Sequence, residues 1–233
     1  MPAPKERARV RTIVRRLLRE YPPDHPARPS GGKKDPLSEL IFTTLSQNTS
    51  DLNRDRAWAS MRRAFPTWKA LLAARPAALE RAIAVGGLAK TKAPRIRAIL
   101  REIIDREGRP SLARLERMSD DEVSAYLETL PGIGPKTIAC VLAFSLERPR
   151  LPVDTHVHRV GSRLGLFGER TNARDAQAAI EAAVPAADRV ETHLALIAHG
   201  RTTCTAQRPA CERCVLADAC PSAGRFASIR PIQ

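Results

Sequence analysis

Two residues in the middle of the chain carry side chains that together could do covalent chemistry. Lys136 follows the segment Leu130-Pro131-Gly132-Ile133-Gly134-Pro135, and Asp154 stands in Val153-Asp154-Thr155-His156. A neutral lysine amine attacks electrophilic carbon, and a nearby carboxylate can steady positive charge as a leaving group departs. The amine must first lose its proton, which burial, nearby cations and the positive end of a helix dipole all favour. The chain length permits the pair to meet. A helix over 135–147 is about 20 Å long, and residues 148–153, if extended, lead back over about 20 Å. Each residue alone has a plainer reading. Asp154 could simply cap the helix that begins THVHRV, and Lys136 could simply hold a phosphate.

The turn before Lys136 would let backbone approach an anion closely. Gly132 and Gly134 carry no Cβ and tolerate positive φ. Pro135 suits the first turn of a helix, where an amide hydrogen would find no partner. The apolar helix behind it, TIACVLAFSL, would then aim its first amides at the hairpin. Ile133 at the tip is expected to pack back between the flanking helices. Without the lysine, an ordinary αα-hairpin would read much the same.

Four of the five cysteines crowd into the C-terminal segment: Cys204, Cys211, Cys214 and Cys220, spaced C-x6-C-x2-C-x5-C. In a reducing compartment such a cluster reads as a metal site before it reads as disulfides. Four thiolates suit zinc or a [4Fe–4S] cluster. One tight pair with longer arms on both sides suggests something larger than a single ion. Arg201, Arg208 and Arg213 make the loop basic. Cys140 lies in the apolar helix and reads as a small buried hydrophobe.

The elements that must hold these groups are helical. Val10, Ile13, Val14, Leu17 and Leu18 recur as one buried helix face, and Ile96, Ile99, Leu100, Ile103 and Ile104 repeat the pattern. Ser119 and Glu122 predict a capping box for a helix running to about Leu130. No two-residue alternation points to strands. Residues 22–35, rich in Pro, Gly and charge, read as a linker, and the tail from Arg201 has no periodicity of its own. The chain has 233 residues, with 39 Lys and Arg against 25 Asp and Glu, a formal charge of +14. That surplus favours a polyanion, nucleic acid before an anionic membrane or an acidic protein. No apolar run reaches the roughly 18 residues of a membrane span, and no secretory signal precedes the first helix. A soluble cytoplasmic protein is expected.

The segments LPGIGPKTIA at 130–139 and VDTHVHRV at 153–160 resemble the helix-hairpin-helix region of the endonuclease III family of DNA glycosylases. Its pattern is L-P-G-[VI]-G-x-K-T-A followed by V-D-T-H. The resemblance extends from about Arg9 to Cys220, and the cysteine spacings match the family's cluster loop. It implies an all-α, two-lobed fold. A six-helix barrel lobe with the hairpin would span 29–147, and an iron–sulfur lobe would combine 1–28 with 148–233. It further implies a [4Fe–4S] cluster on the four cysteines and a monomer acting on double-stranded DNA with a damaged base or abasic site. No membrane would be involved, and a bacterial protein would work at the nucleoid. Lys136 would attack the sugar, Asp154 would assist, and β-elimination would cut the strand, with oxidised pyrimidines as substrates. Gly132, Ile133 and Gly134 would contact the DNA backbone.

The family fills the hole left by a flipped base from two turns. One is L-S-x-Q-x-x-D, here Leu45-Ser46-Gln47-Asn48-Thr49-Ser50-Asp51. A gapless match puts Asn48 at the usual glutamine, with Gln47 as the other candidate. The other is G-L-x-x-x-K-A, matched by Gly87, Leu88, Lys92 and Ala93, with Ala89 where an aromatic is usual. Leu88 is the expected wedge, and Lys92 is expected at the DNA. Glu128 matches an acidic position near the pocket, although a solvated helix glutamate reads equally well. His156, His158, His193 and His199 read as packed or capping. Two rivals remain: a monofunctional mismatch or adenine glycosylase of the same superfamily, which usually lacks the lysine, and a non-catalytic DNA-binding iron–sulfur protein.

Overall fold

A computed structural model describes residues 4–28 and 32–226. Among these residues the regular structure is helical and contains no strand. In chain order the α-helices are α1 (Pro4–Glu20), α2 (Pro36–Ser46), α3 (Asp51–Ala64), α4 (Trp68–Ala73), α5 (Pro76–Ile83) and α6 (Ala89–Glu107). They continue with α7 (Asp120–Glu128), α8 (Pro135–Cys140), α9 (Thr155–Arg163), α10 (Ala173–Ala183), α11 (Arg189–Thr202) and α12 (Ala223–Phe226). None is long and apolar enough to cross a membrane. The chain divides into two compact units, 31–148 and 1–30 with 149–233. The boundary anticipated at 28/29 adjoins residues 29–31, which lie outside those described.

The unit 31–148 contains α2 to α8 around an apolar core. Ile96, Ile99, Leu100 and Ile103 supply the inward face of α6, all fully buried, while Ile104 lies at its edge. Opposite them pack Leu40, Ile41 and Leu45 of α2, Met61 of α3 and Leu142. The capping box forms as its spacing predicts: Glu122 N donates to Ser119 Oγ at 3.3 Å, and Ser119 N to Glu122 Oε2 at 2.7 Å. The helix stops at Glu128, short of Leu130, because Thr129 caps it and the chain turns into the hairpin. The helix after the hairpin is also shorter than 135–147. After α8 it widens into a π turn over Val141–Ser145, with Leu146 N bonded to Val141 O at 3.1 Å.

The other unit places α1 among α9, α10 and α11. Val10, Ile13, Val14 and Leu17 are buried as their spacing predicts. The segment after α1, read as a linker, is instead anchored over its described part. Arg28 is buried and its Nη2 bonds Glu191 Oε2 at 2.5 Å. Arg9 Nη1 donates to Leu164 O at 2.8 Å and Ala219 O at 3.0 Å, which ties the first helix to the cysteine segment.

Candidate active site and iron–sulfur centre

The hairpin takes its shape from glycine and from apolar burial. Gly132 has φ +72°, the left-handed region that a β-carbon disfavours. Gly134 is extended and precedes Pro135, the first residue of α8. Leu130, Ile133 and Ile138 are buried in the core of the unit. Ile133 therefore presents backbone, not side chain, at the tip. Gly134 O accepts from Thr137 N and Ile138 N at 3.0 and 3.1 Å, so α8 is wound from its first turn. Lys136, half-buried, stands in that turn.

Sequence reading missed a carboxyl near this lysine. Glu39 of α2 is only 5% exposed, and its Oε1 accepts from Thr43 Oγ1 at 2.9 Å. Burial pushes this carboxyl above its usual range, against the opposing pull of the Thr43 hydroxyl and the charges of Lys34, Lys136 and Arg54. The signal was present as an acidic residue on the inward side of the apolar helix PLSELIFTTLS.

Two turns near the hairpin end carry the expected DNA-plugging residues. Asn48 is exposed with φ +51°, just past the end of α2, and Gln47 beside it is half-buried. Leu88 is 54% exposed with φ +51°, next to Gly87 at φ +67°. A leucine in the left-handed region is strained, and an exposed apolar side chain there is unusual for a merely structural turn. Lys92, expected at the DNA, lies inside the unit instead. It is 2% exposed, and its Nζ donates to Leu45 O at 2.7 Å and Gly86 O at 2.9 Å. The apolar stem fills the core while the ammonium joins the two turns from inside; burial lowers its pKa. Glu128 is exposed on α7.

Asp154 belongs to the other unit and caps α9. Its Oδ1 accepts from Val157 N at 2.8 Å, which fixes the carboxylate while leaving Oδ2 for other work. The cap reading is thus correct for one oxygen and is compatible with a further role for the other. Around it, Arg159 Nη2 donates to Gly200 O at 2.7 Å and Nε to Cys204 O at 3.1 Å. The histidines serve packing: His193 Nδ1 lies 2.7 Å from Pro152 O, and His158 Nε2 lies 2.7 Å from Thr171 O. Burial lowers the pKa of His156, with the charge of Asp154 opposing.

Cys204, Cys211, Cys214 and Cys220 line one cavity, together with Val160, Leu164, His199 and Leu216. Four thiols facing one cavity provide the ligand set of a [4Fe–4S] cluster, which takes four thiolates. The surroundings also fit thiolate ligands. Arg163 Nη1 donates to Cys204 Sγ at 3.4 Å, and Leu216 N donates to Cys214 Sγ at 3.4 Å. Burial raises the pKa of the Cys211 and Cys214 thiols, opposed by the charge of Arg163 at Cys211 and by the Leu216 amide at Cys214. Cys140 is buried in α8, away from this group in sequence and in a different unit.

Residues 41–186 match the family described as HhH-GPD superfamily base excision DNA repair protein, and 204–220 match the iron–sulfur binding domain of endonuclease III. Endonuclease III of Thermotoga maritima is 31% identical over 211 residues, 91% of this chain and 92% of that protein. A candidate DNA glycosylase of Arabidopsis thaliana is 36% identical over 165 residues, 71% of this chain, which spans only 56% of the plant protein. Among solved structures, a non-covalent endonuclease III–DNA complex aligns with TM-score 0.81 and 26% identity over 97% of this chain and 98% of that one. A trapped covalent endonuclease III–DNA intermediate aligns equally well, over 97% and 99%.

Proposed function

The chain belongs to the endonuclease III family of the HhH-GPD superfamily, and from that membership we propose that it is a bifunctional DNA glycosylase and abasic-site lyase acting on damaged bases in double-stranded DNA. The finer assignment is to oxidised pyrimidines, with the protein working as a monomer on cytoplasmic, chromosomal DNA. The observation that carries the reading is Lys136, held half-buried in the first turn behind a glycine hairpin.

In the proposed reaction the neutral Lys136 Nζ attacks C1′ of the damaged nucleotide. The glycosidic C1′–N bond breaks and the base leaves with a proton. Opening of the sugar ring gives a Schiff base on Lys136. Loss of a C2′ proton then breaks the C3′–O bond, the downstream strand leaves with a 5′ phosphate, and water hydrolyses the remaining Schiff base to free Lys136. Asp154 Oδ2 steadies the positive charge on the sugar, while Oδ1 stays bound to the cap. Gly132 and Gly134 take a phosphate on backbone amides, and Leu88 with Asn48 or Gln47 fills the vacated stack. Cys204, Cys211, Cys214 and Cys220 would hold a [4Fe–4S] cluster, which supplies a cross-link that orders the basic loop.

The test is borohydride trapping on a duplex containing one thymine glycol. A covalent protein–DNA adduct is expected, absent in Lys136→Ala. An adduct on an abasic-site duplex but not on thymine glycol would keep the lysine chemistry and remove the pyrimidine assignment. No adduct on either would sink the lyase reading.

A further inference from the structure

Arg95 stands one helical turn after Lys92 on α6, where two parts of the proposed DNA surface meet. Its Nη1 donates to Gln47 Oε1 at 2.8 Å. Its stem lies so close beneath the hairpin that a β-carbon at Gly132 would fall 2.6 Å from Arg95 Nε and 2.9 Å from Cδ and Cζ. The same guanidinium therefore grips the 46–49 turn and seats against the hairpin glycine. Gly132 is favoured for its positive φ, and a β-carbon there would also displace the Arg95 guanidinium from its seat. With its amide oxygen held inward, Gln47 is half-buried, while Asn48 is turned outward by its left-handed backbone.

We propose that Arg95 is a positioning residue for lesion recognition. It locks the Gln47 amide to the hairpin, so that Asn48 is presented to the duplex in fixed register with the phosphate-binding turn. The inference rests on the glycosylase reading given above. Held this way, insertion of Asn48 and seating of the hairpin on its phosphate become one event. Lys92 reinforces the device from inside by joining Leu45 O to Gly86 O, which keeps the second turn, bearing Leu88, in the same register. Arg95 acts through Gln47, so its loss should be read in discrimination between damaged and intact DNA.

The cluster-loaded protein is titrated with a duplex carrying a tetrahydrofuran abasic analogue opposite 2-aminopurine, and with the matching intact duplex. Arg95→Met, Gln47→Leu and the double variant are compared with the wild type. Each single variant should weaken binding to the analogue roughly tenfold, the scale of one hydrogen bond to a charged group, and Arg95→Met should leave intact-duplex binding unchanged. The 2-aminopurine fluorescence change on binding should shrink in both. The double variant should be no worse than either single one. Additive losses, or equal losses on both duplexes, would make Arg95 a plain phosphate contact and overturn the proposal. Gln47→Leu lies on the half-exposed turn and probes the same bond should Arg95→Met fold poorly. A wild type that binds both duplexes alike would defeat the glycosylase reading itself. A wild-type preference that both variants retain would defeat this inference alone.

Discussion

The two units hold their functional groups by different means. In the unit 31–148 the working turns hang from a dry core: Leu130, Ile133 and Ile138 anchor the hairpin, and Lys92 and Arg95 bind the neighbouring turns from α6. In the other unit the cysteine segment has little regular structure beyond the short 3-10 turns Cys211–Arg213 and Ala217–Ala219. Leu216 is its fully buried apolar anchor, and polar ties from Arg9, Arg159 and Arg163 hold its edges. One site is positioned by side-chain packing. The other is positioned around a cavity faced by four thiols, and its order should depend on what fills that cavity.

Loss of the cluster gives the largest test of this contrast. Cys211→Ser, or oxidative removal of the iron, should abolish absorbance near 400 nm. Amide protection over 204–220 should then drop by roughly a thousandfold, as for a metal-dependent fold, while α6 keeps its protection. Equal loss in both units would show that packing in 31–148 is not self-sufficient.

Asp154 tests whether a residue of the cysteine-bearing unit takes part in the chemistry. Asp154→Asn should slow single-turnover base removal about a hundredfold, with the melting temperature unchanged because asparagine caps equally well. Asp154→Ala should in addition lower stability by about 1 kcal/mol. Wild-type kinetics in the asparagine variant would reduce Asp154 to a cap.

Leu88 tests the other side of the contrast, a turn whose side chain does not serve packing. Relief of its left-handed backbone, about 1 kcal/mol, offsets the extra unfolded-state entropy of glycine, so Leu88→Gly should leave stability nearly unchanged. Leu130→Ala in the adjacent core should cost about 2 to 5 kcal/mol. The same Leu88→Gly change should weaken binding to an abasic-analogue duplex several-fold. A large stability loss there would make Leu88 a packing residue after all.

What the sequence revealed follows the same division. The buried faces of α1 and α6, the capping box at Ser119 and the cysteine ligand set were legible because each has a fixed spacing. The early end of α7 and the π turn at Val141–Ser145 were not, because they depend on how the hairpin and its neighbours pack. Lys92 misled for a related reason. A lysine in a DNA-facing motif reads as a DNA contact, yet it is buried and donates to two backbone carbonyls that its stem can reach. Arg95 carries no spacing signal, because its partner Gln47 lies on a turn 48 residues away; Glu39 carried only a weak one, an acidic residue on the inward side of an apolar helix with Thr43 four residues on.

Glu39 gives the smallest and sharpest test, since it is a buried carboxyl in a unit held chiefly by apolar packing. Burial raises its pKa above the usual 4.5, so the folded state holds the proton more tightly than the unfolded chain does. Its favourable contribution is therefore complete below pH 4.5 and is lost as pH rises through the raised value. Near neutral pH the ionised carboxylate weighs against the fold, and a neutral isostere should relieve it. Glu39→Gln should raise the melting temperature by about 2 °C at pH 7.5, and the gain should shrink toward zero below the unfolded pKa. The opposite sign at pH 7.5 would mean that Lys34, Lys136 and Arg54 outweigh burial. In that case the hairpin unit would rest partly on a buried charge cluster beside its nucleophile, and the contrast between a packed unit and a ligand-held unit would need to be redrawn.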